Sequence, residues 1–228
     1  MRNSYPKKMS AALEAAIISK GWVLIKTMRL LKRKRAIDLS YKAWDYNRHS
    51  SLELCAYEIN QKKIEGAVAE VGVFQGEFAQ KINEAFPERK FYLFDTFEGF
   101  SKADVDIDNE KGHSKGFEDF SDTSEQLVLQ RMPYREKCLI KKGYFPETAA
   151  GIDEPFVFVS LDADLYKPTY EGLHFFYPKL KRGGYIFVHD FNNDSYKGIR
   201  EAVERFSEES GVGYFPLSDI GGTVIICK

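Results

Sequence analysis

Ala67-Val68-Ala69-Glu70-Val71-Gly72-Val73-Phe74-Gln75-Gly76 is a short apolar run that ends in an acid and enters a turn bracketed by glycines. The pattern reads as a buried strand, a tight turn and a helix start. Three later runs repeat the apolar-then-acidic ending: Phe91-Tyr92-Leu93-Phe94-Asp95, Phe156 to Leu161 before Asp162-Ala163-Asp164, and Tyr185-Ile186-Phe187-Val188 before His189-Asp190. Helix-length segments separate them, so they predict buried parallel strands of a doubly wound α/β sheet. Ligands of such sheets bind beyond the carboxyl ends of the strands, where these acids converge. Crowded carboxylates are unfavourable unless a cation or hydrogen-bond donors offset them.

Working outward, Glu77 to Phe86 reads as a helix ended by Pro87, and the acidic stretch Ser101 to Phe120 reads as a long loop. Ser121-Asp122-Thr123-Ser124 has the composition of a helix N-cap before Glu125. A third strand is expected over Lys137 to Lys142, and a helix from about Thr169 to Leu180 closed by Gly183-Gly184. Beyond a helix over Lys197 to Glu208, Gly213 to Leu217 and Thr223 to Cys227 predict an antiparallel hairpin, completing a mostly parallel seven-stranded sheet.

The chain has 228 residues, enough for one domain with a sizeable core. Its 33 Lys+Arg against 34 Asp+Glu give a net charge of -1 and no electrostatic case for nucleic acid. Cys55, Cys138 and Cys227 lack zinc-site spacing and read as reduced core residues of a cytoplasmic protein. The division expected is an N-terminal helical segment over residues 1–50 and the α/β domain over 51–228. Within the former, Glu14, Lys20 and Lys26 interrupt the apolar run Ala11 to Leu31, which argues against a membrane span. An amphipathic helix packed on the domain or a partner is the favoured reading, with contact at an anionic membrane surface as the alternative.

Glu70 and Asp95 stand at successive strand ends, with about 20 residues from Gly76 to Asp95, as in sheets that hold a nucleoside. The third glycine of the dinucleotide fingerprint is missing, so a ligand without pyrophosphate is expected. Gly72 and Gly76 then serve either close approach of that ligand or simple turn geometry. Asp162, Asp164, His189 and Asp190 form an oxygen-rich set with one imidazole, suited to Mg, Mn or a related divalent cation. Asn193 is a further oxygen candidate. Arg48-His49 reads as solvated charge or a partner contact, and Tyr144, Phe145, Tyr166 and Phe191 as core rings or stacking surfaces at a crevice mouth.

Over roughly residues 40 to 228 the chain resembles the macrocin O-methyltransferase family of macrolide and aminocoumarin biosynthesis. The resemblance rests on the Ala69–Gly76 segment, Leu93-Phe94-Asp95-Thr96-Phe97-Glu98-Gly99-Phe100, Leu161-Asp162-Ala163-Asp164-Leu165-Tyr166 and Gly183 to Asp190. It implies a Rossmann-like class I methyltransferase fold and transfer of a methyl group from S-adenosylmethionine to a sugar hydroxyl, assisted by a divalent metal, usually Mg. Glu70, Gly72, Gly76, Asp95, Thr96 and Phe97 become cofactor-site candidates. By resemblance Asp162 and Asp190 match metal ligands and Asp164 the general base. His189 stands where better-known members carry Asp, and an imidazole ligand shifts preference toward Mn or other transition ions. The partners expected are a small-molecule or glycan acceptor and a further copy of the chain. A metal-dependent glycosyltransferase using Asp162-x-Asp164 and a catalytically silent binding protein are the rival readings.

Overall fold

The computed structural model describes residues 46–114 and 119–228. Helix α1 (Tyr46–Gln61) leads into strand β1 (Ala67–Val71), helix α2 (Glu77–Ala85) and strand β2 (Phe91–Asp95). Helices α3 (Lys102–Lys111) and α4 (Glu125–Arg131) precede β3 (Cys138–Lys142) and β4 (Phe156–Leu161). Helix α5 (Tyr166–Lys179), strand β5 (Leu180–Val188), helix α6 (Lys197–Ser210) and the strands β6 (Tyr214–Pro216) and β7 (Val224–Cys227) complete the described chain. The sheet order is β3-β2-β1-β4-β5-β7-β6; β7 pairs antiparallel with β5 and β6, and the other pairings are parallel. This is the class I methyltransferase fold. Its chain winds outward from β1 to β3 and then returns to lay β4 beside β1, which makes the β1/β4 junction the topological switch point.

Alternation along each strand divides the core into two layers. Ala67, Ala69, Val71, Phe156, Val159, Leu161, Ile186 and Val188 pack on one face with Leu173 and Phe176 of α5 and Ile199 and Val203 of α6. Val68, Phe91, Leu93, Phe158 and Phe187 pack on the other with Leu52, Cys55 and Ile59 of α1 and Phe78 and Ile82 of α2. Continuing the same alternation toward the strand ends puts Glu70, Asp95, Ser160, Asp162 and His189 on the α1 side.

Three sequence expectations need correction. The stretch expected as a loop over Ser101 to Phe120 contains helix α3, whose acids Asp104 and Asp108 are buried rather than solvated. Asp108 accepts the Tyr166 N–H at the start of α5, and Asp104 accepts the Tyr144 hydroxyl at 3.0 Å. Those partners come from distant segments, so local composition gave no sign of them. Gly183-Gly184 do not close α5: strand β5 begins at Leu180 and runs through both. A Cβ on Gly184 would stand 2.8 Å from the Val157 carbonyl oxygen, so close strand packing is what needs a glycine there. Of the cysteines, only Cys55 is buried; Cys138 is half-buried and Cys227 exposed. Ser124 caps α4 as expected, accepting the Leu127 N–H at 3.1 Å.

The expected division at residue 50 falls inside α1. The readings for Met1 through Arg35 lie outside the described residues. Among the described residues, no helix is long and apolar enough to cross a membrane.

Phe158 is fully buried between Phe86, at a ring distance of 5.7 Å, and Phe187, at 4.9 Å. Phe158→Ala is expected to lower the free energy of unfolding by about 3–5 kcal/mol, measured by urea denaturation.

Candidate active site

The site is built at the ends of β1, β4 and β5. Backbone hydrogen bonds set their level: Asp162 N–H donates to Val71 O and His189 N–H to Leu161 O, each at 2.9 Å. Asp164 and Asp190 both adopt φ 59°. Asp162 and Asp164 therefore do not occupy one regular strand; β4 ends at Leu161, and the left-handed turn sets the direction of Asp164.

Asp162, His189 and Asp190 come together, with one ligand atom from each lying within 4.8 Å of the others. His189 Nδ1 stands 3.0 Å from Asp162 Oδ1 and 2.8 Å from Asp190 Oδ2. Burial and Arg48 pull the imidazole pKa down, yet the two carboxylates outweigh them and raise it to about 10. Partial burial of Asp162 opposes its ionisation, but His189 and Arg48 hold it well below the usual carboxylate range. Burial together with the charges of Asp162 and Asp190 drives the Asp164 carboxyl well above that range. Two adjacent acids are thus pushed in opposite directions by their surroundings.

The amide of Asn193 does not offer its oxygen to this cluster. Its Nδ2 donates to Asp190 Oδ1 at 2.9 Å, which orients the acid. Gly221 was missed in the sequence. A Cβ there would lie 2.6 Å from His189 Cε1 and Nε2 and 2.7 Å from Asp190 Oδ1, so the hairpin loop can close over the imidazole only through a glycine.

Arg48 corrects the reading of solvated charge or a partner contact. It is 4% exposed, its guanidinium stacks 3.7 Å from the Phe78 ring centroid, and Nη2 reaches Asp162 Oδ2 at 2.9 Å and Ser160 Oγ at 3.3 Å. The signal was present: Arg48, Leu52, Cys55 and Ile59 share the helical stripe that α1 buries. Glu70 is 1% exposed and stands opposite Ser160 on β4; burial raises its pKa well above the usual range against the pull of Arg48. Its second oxygen, Oε2, has no hydrogen-bond partner.

The other cofactor candidates divide between turn-building and packing. Gly72 has φ 82°, and a Cβ would fall 1.9 Å from the Asp162 carbonyl oxygen, so this glycine serves the approach of two backbones. Gly76 packs toward Val128 and Met132. Asp95 Oδ2 accepts the Val73 and Phe74 N–H groups at 2.8 Å, and Oδ1 accepts the Phe97 N–H at 2.7 Å. Thr96 donates its hydroxyl to Gly99 O at 2.6 Å, and Phe97 is buried at φ 55°. Phe145, Tyr166 and Phe191 are also buried, while Tyr144 is tied to Asp104.

The family model described as macrocin O-methyltransferase matches residues 19–228. The chain belongs to the macrocin O-methyltransferase family. It is an O-methyltransferase, and the glycosyltransferase alternative gives way. A tetracenomycin-C 4'-O-methyltransferase of Streptomyces olivaceus, named for an acceptor with a dimethoxy-rhamnosyl group, is 25% identical over 193 residues, 79% of this chain and 72% of that protein. Mycinamicin III 3''-O-methyltransferase of Micromonospora griseorubida is 26% identical over 179 residues, covering 72% and 69%. Among solved structures, the O-methyltransferase NovP superposes with a TM-score of 0.62 at 21% identity, covering 80% of this chain and 79% of its own. That likeness supports the fold.

The clip formed by Asp95 gives a test of its structural part. Asp95→Ala releases three backbone donors at once, and an expected loss of about 2–4 kcal/mol of unfolding free energy without any ligand present is read by urea denaturation.

Proposed function

We propose that this family member transfers a methyl group from S-adenosylmethionine to a sugar hydroxyl of a glycosylated or activated-sugar acceptor, with help from a divalent cation. The observation that carries the reading is the meeting of Asp162, His189 and Asp190 in one cluster, with Asp164 under the charge of its two acids. Two carboxylates and one imidazole nitrogen would suit Mg, Mn or a neighbouring transition ion, which would displace the proton that His189 carries between the two acids. Glu70 Oε2, buried and without a partner, suits a donor N–H or hydroxyl of the cofactor. The residues present therefore fit both groups. The names of the two relatives, each a methyltransferase of a glycosylated natural product, support a sugar acceptor.

When bound, S-adenosylmethionine supplies the electrophilic methyl, and a divalent cation lowers the pKa of a nearby hydroxyl. The chain does the rest by placement. Asp162, His189 and Asp190 would hold the cation at the ends of β4 and β5, while Glu70 and the turn after β1 would receive the cofactor. In its ionised form Asp164 takes the hydroxyl proton as the acceptor oxygen attacks, and the burial and neighbouring charges that raise its pKa make that carboxylate the stronger base. Asp95, Thr96 and Phe97 shape the neighbouring turn, and the remaining acceptor capacity of the Asp95 carboxylate would suit a cofactor hydroxyl. Gly72 and Gly76 set the turn's path. We place the reaction in the cytoplasm, a compartment suited to the free thiols of Cys55, Cys138 and Cys227.

Labelled S-adenosylmethionine, a panel of glycosylated acceptors, and parallel reactions with Mg, with Mn and with chelator test this reading. Label is expected to enter a sugar only when the cation is present; transfer undiminished by chelator would remove the cation from the mechanism. Asp164→Asn is expected to lower kcat by about 10²–10⁴ while cation binding persists. Near-normal turnover of that variant would exclude Asp164 as the base.

A further inference from the structure

We propose that Arg48 is a positioning residue of the catalytic centre, holding Asp162 by Oδ2 so that Oδ1 is presented to the cation cluster. The inference rests on the reading of Asp162, His189 and Asp190 as ligands. Its starting point is the helix that precedes the sheet, a segment to which neither the sequence pattern nor the family resemblance gave a role in the site.

A guanidinium as deeply buried as that of Arg48 has given up its water, a loss of several kcal/mol unless the surroundings replace it. Among the described residues, three groups from three elements do so. Phe78 of α2 lies beneath its face at 3.7 Å, Ser160 of β4 accepts at 3.3 Å, and Asp162 accepts at 2.9 Å. Stacking fixes the plane of the guanidinium, and the two acceptors fix its rotation within that plane. The result is a rigid donor aimed at one oxygen of one carboxylate.

Asp162 carries the consequence. Its Oδ2 is engaged by Arg48, while Oδ1 stands 3.0 Å from His189 Nδ1 inside the candidate ligand set. The terminal torsion of an aspartate is broad and roughly two-fold, so an untethered carboxylate would offer either oxygen. Arg48 removes that choice. The same guanidinium binds Ser160, which stands opposite Glu70 on the neighbouring strand, so Arg48 engages both the cation acid and the strand position beside the cofactor acid. Groups that orient ligands in this way commonly change metal affinity 10–100-fold when removed.

A structural role alone would make Arg48 a tie between α1 and the sheet, visible in stability and nowhere else. The two roles separate when Mn²⁺ alone is titrated into the full chain, free Mn²⁺ is followed by electron paramagnetic resonance, and Tm is recorded in parallel. Arg48→Met is expected to bind Mn²⁺ about 10–100-fold more weakly than wild type. Arg48→Lys is expected to fall between them, because an ammonium can reach Asp162 but cannot reproduce the planar fork. If Arg48→Met keeps Mn²⁺ affinity within about twofold of wild type, whatever its Tm, the positioning role is overturned. Should the Met variant not fold, Arg48→Lys decides: weaker binding supports the proposal, and wild-type affinity overturns it. A wild-type chain that takes up no Mn²⁺ overturns the cation reading itself and this proposal with it, an outcome distinct from the loss of the Arg48 role alone.

Discussion

The turn after β1 comes so close to the end of β4 that no side chain fits between them: a Cβ on Gly72 would sit 1.9 Å from the Asp162 carbonyl oxygen. That approach occurs at the switch point of the sheet, where β4 pairs with β1 and Asp162 donates its N–H to Val71. It brings the acid at the end of β1 and the acids after β4 into one low-dielectric pocket. Every other feature of the site answers the electrostatic problem created there.

The answer is a set of donors recruited from distant segments. Arg48 reaches in from α1, His189 from the end of β5, and Asn193 from the following loop. The carboxylates consequently differ: Asp162 is held ionised between two cationic partners, whereas Asp164 and Glu70 are pushed toward their neutral forms by burial and neighbouring acids. A methyl transfer to a hydroxyl needs this kind of inequality, with Asp162 holding charge in place and Asp164, a stronger base whenever it is ionised, able to accept a proton. Glycines at positions 72 and 221 make the arrangement sterically possible, one beneath Asp162 and one against His189.

Legibility followed the range of the interactions. The strands were readable because apolar runs and strand alternation are local, and the acids at their ends marked one edge of the sheet in advance. Helix α3 was misread because Asp104 and Asp108 look like solvated loop residues until Tyr144 and the start of α5 fold against them. Asp95 was legible as a site acid, but its bonds to the turn after β1 depend on the β1–β2 register and were not. Arg48 stood on an apolar helical stripe, and a charge in that position was the one hint that it was not on the surface.

The sequence by itself determined the strand and helix order, the parallel sheet with its antiparallel hairpin, the family, and the acids that gather at the strand ends, because each is encoded by short-range pattern or motif. The tertiary structure alone decided which cation faces which acid, which oxygen of Asp162 remains for the cluster, and why residues 72 and 221 are glycines. Those matters turn on distances of 2–4 Å between segments far apart in the chain, and only the closed sheet with α1 packed on its face brings them within reach.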